Sequence, residues 1–197
     1  DIDQDGDLDI VVANYVRWSP EIDRSVNYTL DGVGRAYGPP TGFEGAMPTL
    51  LINEQGRFTT ISTDAMVAGI RNPVTGAPYA KALGLAFADL DRDGRADILV
   101  ANDKTPKFLL RNDGRASDGL PRFENIAVST GFAYDRDGNA TGAMGIDFAW
   151  LGDGHPAAIA VANFANEPTS LHRRPQGRID GHARADRKST RLNSSHR

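Results

Sequence analysis

The sequence predicts an all-β protein, a partial β-propeller of about three blades, and three observations predict it. First, Asp1-Ile2-Asp3-Gln4-Asp5-Gly6-Asp7-Leu8-Asp9-Ile10-Val11-Val12-Ala13-Asn14 returns as Asp89-Leu90-Asp91-Arg92-Asp93-Gly94-Arg95-Ala96-Asp97-Ile98-Leu99-Val100-Ala101-Asn102. Second, each acidic stretch runs directly into a short β-branched or aliphatic segment, which reads as a strand. Third, a Pro-led segment with a Gly turn recurs out of phase with the acidic stretch and reads as a hairpin.

The acidic loops come first. They place carboxylates at positions one, three, five and nine and a glycine at position six. Hard oxygen donors at alternate positions can fold inward around Ca²⁺, and glycine permits the sharp turn between them. Five Asp between Asp1 and Asp9 repel one another unless a cation reverses the sign of the interaction. The expected ligands are Asp1, Asp3, Asp5 and Asp9 in the first loop and Asp89, Asp91, Asp93 and Asp97 in the second. The backbone carbonyls of Asp7 and Arg95 are expected to complete the two sites. An EF-hand shares the start of this pattern but needs Glu at position twelve and flanking helices. Position twelve is Val12 or Val100, inside a strand-forming run.

The hairpins follow. Pro48-Thr49-Leu50-Leu51-Ile52-Asn53-Glu54-Gln55-Gly56-Arg57-Phe58 resembles Pro106-Lys107-Phe108-Leu109-Leu110-Arg111-Asn112-Asp113-Gly114. A weaker echo starts at Pro168 and runs through Gly177-Arg178-Ile179. Gly84-Leu85-Ala86-Phe87-Ala88 recurs as Gly145-Ile146-Asp147-Phe148-Ala149, and Ala101-Asn102 recurs at the same offset as Ala162-Asn163. Between them the acidic loop is replaced by Trp150–Ala158, with Trp150, Gly152, Gly154 and Ala158 where the four Asp belong. The sequence therefore predicts no calcium in the third unit. The units run over about residues 1–88, 89–149 and 150–185. Loop, strand, hairpin and a further strand make the four-stranded blade of a propeller. Runs such as Ile159-Ala160-Val161-Ala162 are apolar on both faces, as in a sheet sandwiched between sheets. The first unit also carries an insertion, residues 15–47, rich in Gly, Pro and aromatic side chains, which reads as a long surface excursion.

Here the chain resembles a known family. Ala101-Asn102-Asp103-Lys104-Thr105-Pro106-Lys107-Phe108-Leu109-Leu110-Arg111-Asn112 is similar to the repeat of FG-GAP/VCBS proteins. Asp1 to about Arg174 resembles their ASPIC/UnbV-associated, cartilage acidic protein-like branch. Three segments carry that likeness: Tyr37-Gly38-Pro39 with Phe43-Glu44-Gly45, Ala133–Gly145, and Asn163-Phe164-Ala165-Asn166-Glu167-Pro168. The resemblance implies an integrin-α-like propeller with calcium in its blade loops and an extracellular, periplasmic or cell-surface location. The family often places a cysteine near Tyr37; this chain has no Cys, so no disulfide holds the insertion.

Composition bounds the rest. The chain has 197 residues and a net charge of −4, and nothing in it is long and apolar enough to span a membrane. Asp1 opens inside a loop, so the sequence predicts a fragment whose partners include the remaining blades of a longer chain. Asp186-Arg187-Lys188-Ser189-Thr190-Arg191-Leu192-Asn193-Ser194-Ser195-His196 resembles a translated sequencing-library adapter, so residues 186–197 are expected to be a non-native tail. That tail holds Arg187, Lys188, Arg191 and Arg197 against a single Asp186. Without it the chain is more acidic still, which argues against nucleic acid as a partner. His155, His172 and His182 lack metal-ligand spacing, and no phosphate loop or nucleophile elbow is present. Asn27-Tyr28-Thr29 matches a glycosylation sequon, and Asp135-Arg136-Asp137-Gly138-Asn139 reads as a polar turn rather than a partial calcium loop, because no strand follows at once.

Two functions follow. One is a non-catalytic, calcium-binding propeller that serves as an extracytoplasmic binding or adhesion scaffold, for a protein or carbohydrate ligand. The alternative is the propeller portion of a secreted hydrolase, lyase or quinoprotein-like enzyme whose active site lies outside this chain.

Overall fold

The apolar run that leaves each acidic loop becomes a strand, and neighbouring hairpins complete its sheet. The computed structural model describes residues 1–62, 67–68, 70–152 and 157–173. In chain order the elements are β1 (Ile10–Val12), α1 (Pro20–Val26), β2 (Thr29–Leu30), β3 (Gly34–Arg35), β4 (Thr49–Glu54) and β5 (Arg57–Ser62). Then come β6 (Val67–Ala68), β7 (Ala82–Ala88), β8 (Asp97–Asn102), β9 (Phe108–Arg115) and β10 (Pro121–Asn125). The last are β11 (Ala143–Trp150), β12 (Ala157–Asn163) and β13 (Ser170–Arg173). Three sheets are blade-like, in the orders β1-β4-β5, β6-β10-β9-β8-β7 and β11-β12-β13. The architecture is that of a partial propeller, nearly all β with one helix, as the sequence predicts.

The central sheet shows why its strands are apolar on both faces. All of β8 is buried. Ile98 and Val100 join a cluster with Leu50 and Ile52 of β4 and Val11 of β1. Leu99 and Ala101 point the other way, into a cluster with Ile159 and Val161 of β12. Alternate side chains of one strand thus serve two cores. Among the described residues, the flanking sheets pack on one face only. Ile10 and Val12 of β1 are 45% and 39% exposed, and Ala160 and Ala162 of β12 are exposed.

The repeat in the sequence and the sheets of the fold are out of phase. β7 pairs antiparallel with β8 across the second acidic loop, Ala88 opposite Asp97. The strand read as the last of one unit is therefore the first of the next sheet. β11 repeats this against β12. The physical reason is loop length: Asp89 to Ala96 suffices for a hairpin connection but not for a crossover.

The β4–β5 hairpin turns at Gln55-Gly56, both with positive φ (54° and 86°), as a two-residue hairpin requires. In the central sheet β9 runs on past Gly114, and the turn comes later, at Ala116–Leu120. β6 adds a short parallel edge beside β10, which no sequence signal announced. The insertion holds α1, capped by Ser19, and the small β2–β3 sheet. Its closing end docks tightly: a Cβ on Gly45 would lie 2.1 Å from the Ala80 carbonyl oxygen. Asp135 Oδ1 accepts from the amides of Asp137 and Asn139, which makes that stretch a polar turn. The remaining part of the Trp150–Ala158 loop, the second half of the last hairpin and the tail at 186–197 lie outside the described residues.

One histidine sits between the central and last sheets. The His172 ring meets Phe132 edge-on at 4.9 Å, and its Nε2 is buried without a partner. Burial, aided by the nearby Lys107 ammonium, lowers its pKa to about 4. The unfolded chain takes up this proton near pH 6.5 and the folded chain only near 4, so stability falls as pH drops through that window. His172→Leu should flatten this part of the pH profile, removing up to about 3 kcal/mol of acid destabilisation. Urea melts of both proteins at pH 7 and pH 4.5 check it; parallel losses of stability would refute it.

Candidate metal centre

Each acidic loop is folded by its own backbone before any ion is considered. Glycine at position six has φ +99° in Gly6 and +87° in Gly94. Position four is left-handed as well, in Gln4 (φ 61°) and Arg92 (φ 64°). Two left-handed residues in one short loop curl its carboxylates toward a common centre.

The aspartate at position nine staples the curl. Asp97 Oδ2 accepts from the Leu90 amide at 2.8 Å, and Oδ1 accepts from the Asn112 amide at 2.8 Å. Asp9 repeats both bonds, from Ile2 at 2.6 Å and from Asn53 at 2.9 Å. Position nine thus ties its loop to the next hairpin of its sheet. Burial raises the Asp97 pKa to about 6 against the two amide bonds that lower it, and Asp91 and Asp93 raise it further.

The two loops converge on different sets. In the second, Asp89, Asp91 and Asp93 each offer a carboxylate oxygen, all within 4.8 Å of one another. Asp97 lies outside this group. In the first, the group is Asp1, Asp3 and Asp9 by the same distance. Asp5 and Asp7 lie outside it. Asp5 Oδ1 accepts from the Asp7 amide, and Asp7 Oδ2 accepts from the Gln55 amide at 2.7 Å. With the Asp7 side chain turned to the β4–β5 turn, any metal contact at position seven falls to its backbone carbonyl. Arg95 at the same position in the second loop pairs with Asp93 and donates from Nε to the Asn112 carbonyl at 2.8 Å.

An orphaned atom marks the first group. Asp3 is 7% exposed, and its Oδ1 has no hydrogen-bond partner. A buried carboxylate oxygen left without a donor is costly unless a cation meets it. The donors in both loops are oxygens and carry excess negative charge, which suits a hard divalent cation rather than a thiophilic one.

Several residues around the loops escaped the sequence reading. Asn112 Nδ2 donates to the carbonyls of Ile2 (2.8 Å) and Ala96 (3.3 Å), so one side chain ties both loops together. Asn53 does the corresponding work on Leu8. In the Pro-to-Gly hairpin repeat the two Asn stand one place out of step, Asn53 opposite Arg111 and Asn112 opposite Glu54, so no sequence signal announced them. Gln4 donates to the Gly94 carbonyl, and the Arg92 guanidinium stacks 4.4 Å from the Trp150 ring. The position-four residue of each loop therefore reaches the following sheet.

On the opposite face Asn14, Asn102 and Asn163 clamp the segments that enter the hairpins, donating to the carbonyls of Met47, Pro106 and Pro168. There Tyr15 donates to Asp103 Oδ2 at 2.6 Å, and Lys81 Nζ donates to the Pro40 carbonyl at 2.7 Å. Burial and the Asp103 carboxylate hold the Tyr15 phenol well above its usual range.

The FG-GAP-like repeat family matches residues 1–100, which include both acidic loops, the strand after the first and most of the strand after the second. No curated protein matches the chain.

Proposed function

The chain belongs to the FG-GAP-like repeat family, and on that premise we propose that it is a calcium-stabilised propeller scaffold for binding or adhesion outside the cytoplasm. Repeats of this family are typically extracellular and generally non-catalytic. Among the described residues, no helix is long and apolar enough to cross a membrane. The observation that carries the calcium reading is Asp3 Oδ1, buried, unpartnered and grouped with Asp1 and Asp9. The calcium ion supplies charge neutralisation and a cross-link within each loop. The chain's own residues supply the rest. Gly6 and Gly94 curl the loops, Asp9 and Asp97 fix their closing ends, and Asn112 holds the two loops side by side. Millimolar extracellular calcium fills loops whose affinity is too low for cytosolic levels.

The Tyr15–Asp103 and Lys81–Pro40 bonds favour a scaffold over an enzyme, because Tyr15, Asp103 and Lys81 opposite the loops are engaged in structure. The likeness of the Tyr37-Gly38-Pro39 and Asn163–Pro168 segments supports the reading that the chain is of the ASPIC/UnbV-associated branch.

Calorimetric titration with CaCl₂ tests the assignment. The parent chain should bind two ions, and Asp93→Ala should bind one. An unchanged stoichiometry in Asp93→Ala would remove the second loop from the assignment.

A further inference from the structure

The two acidic loops share one pattern but gather different carboxylates. Position five, Asp93, belongs to the second group, whereas its counterpart Asp5 is missing from the first. Beside Asp5 stands Arg115, at the end of β9 in the neighbouring sheet. Its Nε donates to the Asp3 carbonyl at 2.5 Å. Its Nη2 lies 2.9 Å from Asp3 Oδ2 and 3.8 Å from Asp5 Oδ2. One guanidinium thus holds Asp3 at two points and stands beside Asp5, in an open groove that Gln4, Arg95 and Asp113 also line. In the second loop Arg95 pairs with Asp93 alone and is tethered by Nε to Asn112. The first loop therefore already carries a cation on two of its carboxylates, while Asp3 Oδ1 remains unmet.

We propose that Arg115 is a built-in competitor of the divalent ion at the first loop. It makes that loop the weaker of two calcium sites and couples its filling to the contact between the first and central sheets. The proposal rests on the calcium reading above. An ion that shares carboxylates with the guanidinium is repelled by it, and must also loosen its grip on Asp3 and Asp5. Even at the dielectric constant of water, a dication and a monocation a few ångströms apart repel by enough to weaken binding about tenfold. Filling the first loop then costs the Arg115 bridge, so calcium adds order within the loop while it frees the end of β9.

The test isolates the first loop in the full 197-residue chain by Asp91→Asn. CaCl₂ titration of this protein is then compared with the same protein carrying Arg115→Gln or Arg115→Lys. Gln should tighten calcium binding about tenfold or more. Lys keeps the charge but cannot hold the carbonyl and carboxylate of Asp3 together, so it should tighten binding by less. Melting in chelator adds a readout that a purely structural arginine would not give. Arg115→Gln should melt lower than its parent without calcium, yet gain more on its addition. Equal or weaker calcium affinity in Arg115→Gln overturns the proposal. Should that variant fail to fold in chelator, absence of tightening in Arg115→Lys overturns it. No calcium binding by the unmutated chain would instead overturn the calcium reading itself.

Discussion

In calcium the chain melts well above its midpoint in chelator. The expected gain is about 2.7 kcal/mol per site at a hundredfold excess of ion over Kd, because the ion binds the folded loops and not the unfolded chain. For a chain of this size each kcal/mol moves the midpoint by roughly 2–4 °C, so one filled site gives about 5–10 °C. The sign follows from the loops themselves. Asp89, Asp91 and Asp93 bring their oxygens within 4.8 Å of one another, which is repulsive for three carboxylates without a cation. Asp3 Oδ1 adds the cost of a buried acceptor with no donor. Both costs vanish on binding. Differential scanning calorimetry in 5 mM-scale calcium and in chelator decides it. Coincident melting curves would mean that the loops are turns held by their own amides.

Asp97→Ala is expected to be the most damaging single change in the loops, even where no calcium is present. Its two oxygens accept the amides of Leu90 and Asn112, and the residue is 1% exposed. Truncation strands both donors in the interior, at about 1–3 kcal/mol each. The burial that raises the Asp97 pKa opposes this, since removing the carboxylate also removes its desolvation cost. The net loss should be about 3 kcal/mol, below the sum of two unmet amides. Asp113→Ala is the control. Asp113 pairs with Arg111 where both side chains are more than a third exposed, and its loss should change stability by under about 1 kcal/mol. Urea melts in chelator separate the hydrogen bonds from any bound ion. A loss in Asp97→Ala no larger than in Asp113→Ala would show that position nine does not staple the loop.

Much of the fold was legible because it repeats. A glycine six residues into each acidic stretch fixes a left-handed turn whatever surrounds it, and the two-residue turn at Gln55-Gly56 fixes a hairpin. A strand such as Ile98-Leu99-Val100-Ala101 has no polar face to give to solvent, so a neighbouring sheet on each side follows from composition alone. Local sequence could not set the phase of the sheets. Whether Leu85–Ala88 closes one blade or opens the next depends on which strand it meets, and both choices bury the same side chains. The parallel edge of Val67–Ala68 beside Phe123–Glu124 is equally a matter of what lies nearby.

The acidic loops mark the same division at finer scale. The sequence by itself determined that two loops of alternating Asp exist, that each feeds a strand, and that their donors are hard oxygens. Those properties belong to residue type and spacing, which folding does not alter. Only the tertiary structure decided which carboxylates converge. Asp97 is claimed by the amides of Leu90 and Asn112 and Asp7 by the amide of Gln55, whereas Asp9 accepts the corresponding pair of amides and still stays with Asp1 and Asp3. Asp5 accepts the amide of Asp7, and Asp3 is held by Arg115, far along the chain from it. A carboxylate turns toward whichever positive charge or N–H lies within about 3 Å, and the chain brings those groups from distant positions only when the sheets assemble.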